Sequence, residues 1–461
     1  MIDLKQATIS LKGKTLFENI DLCFESNVNY VIQGANGSGK TTLLKLIAGN
    51  ILPKSGQVSY SFIDSALAWE RQYDMRKKYV HLVPVHALHE LIGGSNLYYQ
   101  QRYYSIGDTN IARVRDYFGA SLENLKHFHF PESLSIDSLL DLELTRLSNG
   151  QVKKVVIIRQ LLRNIPKVLL LDYPFEGLDV ESRLALSGFL DHLAINQEIQ
   201  IILTDHYHAL PKCITKRIIL ENFKIKTIES FRASSRAFNR PSGLHASQKS
   251  ESPALVEIKD LRIQYGNKVI IDNLTWRINK GERWALTGKN GSGKTTIFSL
   301  IFADHPIAYS QNVNLFGKRR GSGESIWDIK KRINYLGPEQ IHFLNVTNSP
   351  LTVREYLSDQ SPEAEDNART NLISFFSAQK LMQNQMRHLS SGELQLVLLL
   401  GVFLSKKELL LLDEPFQFLD QQQKEKVSDY LNNYLDASAT LVLITHYEAD
   451  IEKWTNHRLH L

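Results

Sequence analysis

Cysteine is scarce in this sequence: Cys23 and Cys213 are the only two among 461 residues. Such a count excludes a small secreted scaffold that depends on several disulfides. A disulfide between the two cysteines is possible, but nothing in the sequence supports one. We therefore expect two buried thiols in a protein of a reducing compartment.

Long hydrophobic runs are also missing. The longest, such as residues 396 to 404 and 168 to 171, are far shorter than the roughly 20 residues of a membrane-spanning helix. The N-terminus begins with strand-like alternation and lacks the basic and then apolar order of a signal peptide. We expect a cytoplasmic protein that reaches the inner face of a membrane only as a peripheral subunit of another chain.

A strong charge of either sign is absent as well, because the net charge is +5 over the whole chain. So small an excess permits a nucleic-acid or membrane partner without implying one. With 43% hydrophobic and 22% charged residues, the composition is that of an ordinary globular protein. The length suffices for two or three hydrophobic cores.

A phosphate-binding loop is predicted at residues 288 to 296, whose sequence is G-K-N-G-S-G-K-T-T. It matches G-x-x-x-x-G-K-[ST] at every fixed position and lies between a strand-like apolar run and a helical apolar pattern. A glycine-rich turn before an ordinary helix is the alternative, which the full spacing and context disfavour.

The residue types of this loop explain how it would bind phosphate. Glycines lack a Cβ, so consecutive backbone N–H groups can close around phosphate oxygens at a helix N-terminus. We expect Lys294 to reach the β- and γ-phosphates and the Thr295 hydroxyl to bind magnesium. The predicted nucleotide-binding residues are Gly288, Asn290, Gly291, Ser292, Gly293, Lys294, Thr295 and Thr296.

The same loop occurs twice, since residues 34 to 42 read G-A-N-G-S-G-K-T-T. The two lysines lie 254 residues apart, which indicates an internal duplication. The predicted binding residues of the first copy are Gly34, Asn36, Gly37, Ser38, Gly39, Lys40, Thr41 and Thr42. We expect a first domain over 1–221, a flexible and mildly basic linker over 222–254, and a second domain over 255–461.

Residues 2 to 33 and 256 to 287 alternate apolar and polar positions, which predicts an antiparallel edge sheet in each domain. In the second copy Tyr265 falls where an aromatic ring could stack on a base, and Leu11 takes that place in the first copy. A tyrosine on a strand also packs against neighbours, and both roles stay open for Tyr265.

Two short segments, residues 147 to 151 (L-S-N-G-Q) and 389 to 393 (L-S-S-G-E), each open a strongly apolar helix. A serine at a helix start is ordinarily an N-cap. The adjacent glycine lets a ligand approach, so the same helix start could hold an anion. Because the pattern occurs twice, at matching distances from the two phosphate loops, it favours the anion site.

Two apolar strands, residues 167 to 172 and 408 to 413, each end in a carboxylate. We expect Asp172 and Asp413 to hold magnesium through water, and Glu414 to polarise an attacking water. In the first half Tyr173 stands where Glu414 stands in the second. Further apolar strands then lead to His206 and His446.

This ordered set of motifs resembles the nucleotide-binding domains of ABC ATPases, twice and over nearly the whole chain. The resemblance implies an α/β fold of two tandem P-loop NTPase domains of ABC type, each with a mixed sheet core, an antiparallel edge sheet and a helical subdomain. It implies ATP and Mg²⁺ as ligands, and head-to-tail pairing of the domains. One composite site would then hold Lys294, Thr295, Asp413, Glu414, His446 and Tyr265 with Ser148, Gly150 and Gln151 opposite. The other would hold Lys40, Thr41, Asp172 and His206 with Ser390, Gly392 and Glu393 opposite.

Several residues depart from the family pattern. Tyr173 replaces the catalytic glutamate, Leu11 the stacking aromatic, and Asn149 and Ser391 each a signature glycine. The resemblance therefore implies unequal sites, with hydrolysis concentrated at the Glu414 site and ATP mainly held at the Lys40 site.

The first half carries about twelve extra residues before its signature segment, by comparison of the spacing after Pro84 and Pro338. This insertion includes residues 96 to 104 (N-L-Y-Y-Q-Q-R-Y-Y), which suit a partner contact or a packed amphipathic stretch. The family's glutamine after the preceding strand has only candidate matches, which are Gln100, Gln101 and Gln340.

A finer resemblance, over residues 304 to 331, is to ModF-type tandem ATPases, which are grouped with molybdate-transport ATP-binding proteins. It implies an energy-coupling subunit that works with a separate membrane permease, for molybdate or a related anion. A soluble ATP-driven enzyme or regulator acting on a protein or nucleic acid is the alternative. A ribosomal partner is disfavoured, since the predicted linker is short where ribosome-acting relatives have a long charged helical one.

Overall fold

The computed structural model describes residues 1–11, 14–84, 112–127, 136–144, 147, 149–205, 210–231, 253–265, 268–337, 350–362, 364–433 and 439–461. The chain divides into two compact units, Met1–Phe238 and Asn239–Leu461. Two units agree with the duplication seen in the sequence.

The first unit contains a six-stranded sheet with the spatial order β5 (Val80–Val83), β6 (Val168–Asp172), β7 (Gln200–Thr204), β3 (Asn29–Gly34), β8 (Ile214–Glu221) and β9 (Lys224–Ser230). Its first five strands are parallel and β9 is antiparallel to β8, so the sheet is mixed, as predicted. A separate antiparallel sheet has the order β2 (Lys14–Phe24), β1 (Ile2–Leu11) and β4 (Ser55–Tyr60). Because β3, β6 and β7 are parallel, the loops that follow them meet at one edge.

The α-helices described in the first unit flank these sheets. They are α1 (Lys40–Ala48), α2 (Trp69–Tyr79), α3 (Val114–Phe118), α4 (Asn149–Arg163) and α5 (Val180–Asn196). Two 3₁₀ segments lie at Gly119–His127 and Asp137–Leu139. Helix α1 begins directly after the first phosphate loop, and α4 begins within the first signature segment.

The second unit repeats this plan. Its parallel sheet has the order β15 (Ile333–Leu336), β16 (Leu409–Asp413), β17 (Thr440–Ile444), β12 (Arg283–Thr287) and β18 (His457–His460). Its antiparallel sheet has the order β11 (Lys268–Asn279), β10 (Ala254–Tyr265), β13 (Asn312–Leu315) and β14 (Lys318–Arg319). Antiparallel sheets preceding both phosphate loops confirm the edge sheets predicted from the alternating segments.

The helices described in the second unit again surround the core sheet. They are α6 (Lys294–Ile301), α7 (Ile326–Lys330), α8 (Val353–Gln360), α9 (Asp366–Phe375), α10 (Ser391–Leu404), α11 (Gln421–Asn433) and α12 (Glu448–Trp454). Three 3₁₀ segments lie at Pro306–Tyr309, Gln379–Leu381 and Met386–His388. Helices α8, α9 and α10 share one hydrophobic cluster and form the predicted helical subdomain.

Burial explains why the central strands form. All five residues of β6 and of β16 are buried, and four of the five in each are apolar. A continuous apolar run of this kind is typical of a parallel strand that is covered on both faces. The polar exception in each strand is its last residue, an aspartate, which the fold thereby delivers to the carboxyl edge of the sheet.

The strand β9 lies inside the segment 222 to 254 that the sequence predicts as a flexible linker. Residues 224–230 pair with β8 in register from Lys216↔Ser230 to Glu221↔Lys224. The linker prediction therefore does not hold for these residues, which belong to the sheet of the first unit.

The two cysteines also differ from expectation. Both are free and both lie in the first unit, where Cys23 is exposed and Cys213 is half-buried. The prediction of two buried thiols is wrong for Cys23, because it occupies a solvent-facing position of the edge strand β2. Burial and the neighbouring Asp191 carboxylate raise the pKa of the Cys213 thiol.

The described residues include no helix long and apolar enough to cross a membrane. Even α10, whose residues 394 to 404 are all buried, contains 14 residues in total. Its apolar residues instead form part of the hydrophobic core of the second unit.

Candidate functional site

The second phosphate loop has the backbone that the sequence predicts. Gly288, Gly291 and Gly293 have φ values of 149°, 81° and 99°, and Lys294 is the first residue of α6. A Cβ on Gly288 would lie 2.7 Å from the Ser292 Oγ and 2.9 Å from the carbonyl oxygen of Leu461. A larger residue there would be both strained and crowded, so glycine is required to close the loop.

Lys294 is buried against its own loop. Its Nζ donates hydrogen bonds to the carbonyl oxygens of Gly288 at 2.8 Å and Lys289 at 2.9 Å. The side chain is held across the loop with 7% of its surface exposed. Such a pre-positioned ammonium group is suited to bind phosphate oxygens at the helix start.

The first phosphate loop has matching geometry. Gly34, Gly37 and Gly39 have φ values of 151°, 73° and 101°, and helix α1 begins at Lys40. The Lys40 Nζ donates to the carbonyl oxygens of Gly34 at 2.8 Å and Ala35 at 2.7 Å. Both loops are therefore formed to the same design, and a difference between the sites must come from elsewhere.

A hydroxyl and a carboxylate meet beside each loop. The Thr295 Oγ1 donates to the Asp413 Oδ2 at 2.9 Å, and the Thr41 Oγ1 donates to the Asp172 Oδ2 at 2.9 Å. Burial raises the pKa of the Asp413 carboxyl to about 6 and also raises the pKa of Asp172. Among the described residues no group of three or more His, Cys, Asp or Glu side chains could hold a metal by itself.

This donor set fits Mg²⁺. Hard oxygen ligands suit this ion, which normally takes one or two protein ligands and completes its shell with phosphate oxygens and water. Each pair supplies one hydroxyl and one carboxylate oxygen, and a nearby cation would offset the cost of ionising a buried aspartate. Asp172 has an additional donor, since the Thr204 Oγ1 lies 2.7 Å from its Oδ1.

Glu414 and His446 meet in the second unit. The Glu414 Oε1 lies 3.6 Å from the His446 Nε2, and both side chains are nearly buried, at 13% and 12% exposed. The same His446 nitrogen is 3.1 Å from the Oδ1 of Asn290, a residue of the phosphate loop. The two predicted catalytic residues are thus brought together next to the predicted phosphate site.

The backbone that carries Glu414 is strained. Its φ is 50°, a left-handed value that is uncommon for a residue other than glycine. A hydrogen bond of 2.9 Å from the Glu414 N–H to the Ile444 carbonyl oxygen holds the residue at the end of the neighbouring strand. Strain of this kind costs roughly 1–3 kcal/mol and persists where the surrounding structure fixes it.

Tyr173 occupies the matching place in the first unit. Its φ is 49°, and its N–H donates to the Thr204 Oγ1 at 3.0 Å. The Lys40 Nζ lies 5.9 Å from the centre of the tyrosine ring. The first site therefore keeps the backbone of the catalytic position while carrying a phenol beside the lysine of its loop.

The second signature segment forms a capping box. The Ser390 N–H and Oγ donate to the Glu393 Oε2 at 2.8 Å and 2.7 Å, and the Glu393 N–H donates to the Ser390 Oγ at 3.4 Å. Gly392 is buried in the first turn of α10. Ser390 thus has the N-cap role that the sequence allows. Its anion-binding role stays a prediction.

Several other predicted site residues can be placed only in part. Gly150 and Gln151 lie in the first turn of α4. Leu11 is exposed at the end of β1, and Tyr265 is the last residue of β10, paired with Lys268. Predictions outside the described residues concern Ser148, His206, Gln100, Gln101, Gln340, Pro338 and the segment 96 to 104.

The motif analysis missed Lys153, which lies behind the first site. Its Nζ donates to the carbonyl oxygens of Tyr173 at 3.0 Å and Glu176 at 2.6 Å. Burial lowers the pKa of this amine to about 8. The matching residue of the second unit is Gln395, whose Nε2 donates to the Pro415 carbonyl oxygen at 2.9 Å. Both residues lie five positions after the signature serine, and a comparison of the repeats at that position could have found them.

Comparison with known proteins agrees with this geometry. The family model for the ABC transporter matches the chain twice, over residues 17–176 and 271–417. An ABC transporter ATP-binding protein of Schizosaccharomyces pombe is 29% identical over 97% of this chain and 94% of its own length. The ABC transporter ATP-binding protein ModF of Escherichia coli is 26% identical over 99% of this chain and 96% of its own length.

Solved structures share the fold across both units. An archaeal ribosome recycling factor, crystallised with a ribosomal stalk protein, aligns with a TM-score of 0.57 at 18% identity, over 99% of this chain and 87% of that one. The RNase-L inhibitor aligns with a TM-score of 0.57 at 20% identity, over 99% and 88%. Two matches to one family model, over most of both units, identify the protein as a tandem P-loop NTPase that belongs to the ABC transporter family of ATP-binding proteins.

Proposed function

We propose that the protein hydrolyses ATP chiefly at the site of the second unit and chiefly holds ATP at the site of the first. The observation that carries this proposal is the pair Glu414 and Tyr173. Both follow the strand carboxylate, both have a φ near +50°, and only one carries a group that can accept a proton from water. A neutral phenol, which has no carboxylate oxygen to accept that proton, cannot take the same role.

The second site supports a direct sequence of events. The loop N–H groups and Lys294 bind the phosphates of ATP, and Glu414 orients a water and accepts its proton as the water attacks the γ-phosphorus. His446, held by Asn290, lies where it can fix the Glu414 carboxylate. Bound Mg²⁺, held by Thr295 and Asp413, would neutralise charge on the phosphates. The products are ADP and inorganic phosphate.

The signature residues enter only through the head-to-tail pairing that the family resemblance implies, which stays a proposal. Gly392 and the Ser390 hydroxyl stand at a helix start that could receive a phosphate oxygen after the hydroxyl exchanges its present partner, Glu393. The observed capping box keeps that helix start formed in the meantime.

Steady-state ATP turnover of two matched variants tests the unequal sites. Glu414→Gln removes the proton acceptor at nearly constant size, and we expect a loss of about 10²–10⁴ in rate. Tyr173→Phe removes only a hydroxyl from the first site, and we expect little change. ATP binding by both variants should be retained, because Lys40 and Lys294 are untouched. A Glu414→Gln protein with nearly normal turnover would contradict the proposal.

For the cellular role, we propose an energy-coupling subunit of a transporter whose membrane permease is a separate chain. The support is the similarity to ModF and the resemblance of residues 304 to 331 to the molybdate-transport group. From that resemblance we propose molybdate or a related anion as the cargo. The second candidate is a soluble ATP-driven switch. The surface of helix α2 in the first unit, which combines lysines with the exposed Trp69, favours this second role.

Trapping the closed state distinguishes these roles. The Glu414→Gln chain, expressed in its native cells and purified with ATP, should prolong whatever contact ATP binding promotes. Recovery of one polytopic membrane protein, lost when Lys294→Ala is added, would support the transporter role. Recovery of ribosomes, nucleic acid or soluble proteins without any membrane protein would overturn it.

A further inference from the structure

Helix α2 of the first unit exposes an unusual set of side chains. None of its 11 residues is buried, and Trp69 has 61% of its surface exposed. A ring that is exposed to this extent can stack on a flat ligand. The helix carries Arg71, Arg76, Lys77 and Lys78 against two carboxylates.

The aromatic rings and cations form an array of two parts, which lie on different faces of the helix. Trp69 stacks on Tyr73 with ring centres 5.4 Å apart and planes at 18°. The Lys77 Nζ lies 4.4 Å from the centre of the Tyr73 ring. Residues 69, 73 and 77 are spaced by four, so they form a single stripe along the helix.

A second part of the array surrounds Tyr79. The Nζ atoms of Lys78 and Lys167 lie 5.5 Å and 5.3 Å from the centre of its ring. Lys167 precedes strand β6, so the array joins two elements that are distant in sequence. We call the residues Trp69, Tyr73, Lys77, Lys78, Tyr79 and Lys167 the α2 surface.

Helix α2 carries an excess of positive charge, with four cations against Glu70 and Asp74. Within the described ranges, no carboxylate makes an ion pair with Lys77, Lys78 or Lys167. Lysines in the last turn of α2 stabilise its C-terminal dipole. That effect does not account for Lys167, which lies on another element, or for the exposed face of Trp69.

The equivalent region of the second unit shows the contrast. Helix α7 also exposes a tryptophan, Trp327, next to cations and aromatic rings. There, however, Lys330 pairs with Asp304 at 2.5 Å and Arg332 pairs with Glu408 at 2.6 Å. In the part of the chain that the structure describes, cations are thus neutralised beside α7, whereas the three lysines of the α2 surface are not.

We propose that the α2 surface binds single-stranded nucleic acid. The exposed Trp69 ring can accept a stacked base, and the nearby lysines of the α2 surface can neutralise the phosphate backbone. An anionic membrane fits less well, because a helix that inserts into lipid needs a broad apolar face, which α2 lacks. The proposal is independent of which site hydrolyses ATP, and binding would favour the soluble switch over the transporter role.

Fluorescence anisotropy with the full-length protein tests the proposal. The probes are labelled oligouridylate and oligothymidylate of about 20 nucleotides, with a duplex of the same length and anionic phosphatidylglycerol vesicles as competitors. We expect binding to the single strands that weakens as salt rises. The comparison of the RNA probe with the DNA probe tells which of the two the α2 surface prefers.

Two pairs of variants separate this site from general charge effects. Trp69→Ala should weaken binding at least about fivefold, as loss of one stacked base does, while Trp327→Ala should leave it unchanged. Lys77→Glu with Lys78→Glu should weaken binding more than tenfold and lower the salt slope by about 1.4, at roughly 0.7 for each lost phosphate contact. The control, Lys318→Glu with Arg319→Glu, makes the same charge change on the exposed strand β14 and should have little effect.

Thermal unfolding of every variant checks that the chain still folds. Equal losses in the α2 and control variants would overturn the proposal, since binding would then follow net charge alone. Failure of the wild-type protein to bind either strand at about 100 mM salt would overturn it as well. So would displacement of the oligonucleotide by the vesicles at lower concentration than by unlabelled strand.

Discussion

The two units have the same backbone geometry around the phosphate loop but differ in the side chain that follows the strand aspartate. Each has a closed phosphate loop, a buried lysine across it and a threonine hydroxyl on the strand aspartate. After that aspartate, the second unit presents Glu414 beside His446, and the first presents Tyr173 over Lys40. Under the proposed function, we therefore expect a single side chain to separate nucleotide binding from nucleotide hydrolysis.

After Glu414→Gln, the largest expected effect comes from removing the loop lysines one at a time. Lys294→Ala should reduce ATP turnover by about 10²–10³, because the developing charge on the transferred phosphoryl group loses its nearest cation. Lys40→Ala should reduce turnover by no more than about tenfold, through lost coupling between the sites. Turnover assays at saturating ATP measure both. Equal losses would show that the two sites are equivalent and would contradict the proposed division between hydrolysis and ATP retention.

A smaller loss is expected from His446 and its partner in the loop. His446→Ala should lower turnover by about 10², as expected when a group that supports proton transfer is removed. Asn290→Ala removes the 3.1 Å hydrogen bond to the His446 nitrogen, and a loss of roughly 1 kcal/mol corresponds to about a fivefold loss in rate. Turnover measured side by side should rank the two variants in this order. The reverse order would contradict a role for His446 in ATP hydrolysis.

Tyr173→Glu should sharpen the comparison by restoring the missing group. The left-handed backbone at residue 173 already matches that at Glu414, so a carboxylate can be supplied without rebuilding the turn. In a Glu414→Gln background, we expect the residual turnover to rise about tenfold. If ATP still binds at the first unit and turnover does not rise, more than one residue has been lost from that site.

The smallest expected effect concerns Lys153 and the pH dependence of stability. Burial lowers its pKa from 10.5 to about 8, so between these values the unfolded chain binds more protons than the folded one. The free energy of unfolding should therefore rise with pH through this window, by on the order of 1–3 kcal/mol. Lys153→Gln, which copies Gln395, should lack this rise. Urea unfolding between about pH 7.5 and 10 measures the difference, and parallel curves would contradict it.

Motif spacing predicted the parts of the molecule where chemistry restricts the residue type. The phosphate loops require glycine at left-handed positions and lysine at the helix start, so the residues themselves reveal the geometry. The strand aspartates were equally visible, because a carboxylate at the end of a buried apolar strand is costly unless a cation or a donor meets it. The meeting of Glu414, His446 and Asn290 depended on the order of the sheet, which the spacing alone does not give.

Features that do not require particular residue types could not be predicted from the sequence. Strand β9 reads as a linker because its turn residues, Asn222 and Phe223, have φ values of 48° and 60° without the glycine that usually marks such a hairpin. Lys153 belongs to none of the recognised motifs, and its burial depends on two carbonyl groups that come from a distant turn. In both cases tertiary contacts override the local pattern.

In the capping box at the start of α10, Glu393 competes with any incoming phosphate for the hydroxyl of Ser390. The Ser390 hydroxyl is already satisfied by Glu393, so any phosphate oxygen that recruits it must first displace an internal anion. The affinity of this helix start for phosphate is then set by the difference between two hydrogen-bonded states, and not by the strength of the new bond alone. The Glu393 carboxylate is thus an intramolecular competitor of phosphate. The first unit has Gln151 at the corresponding position, so the side chain there carries no negative charge that could compete in the same way.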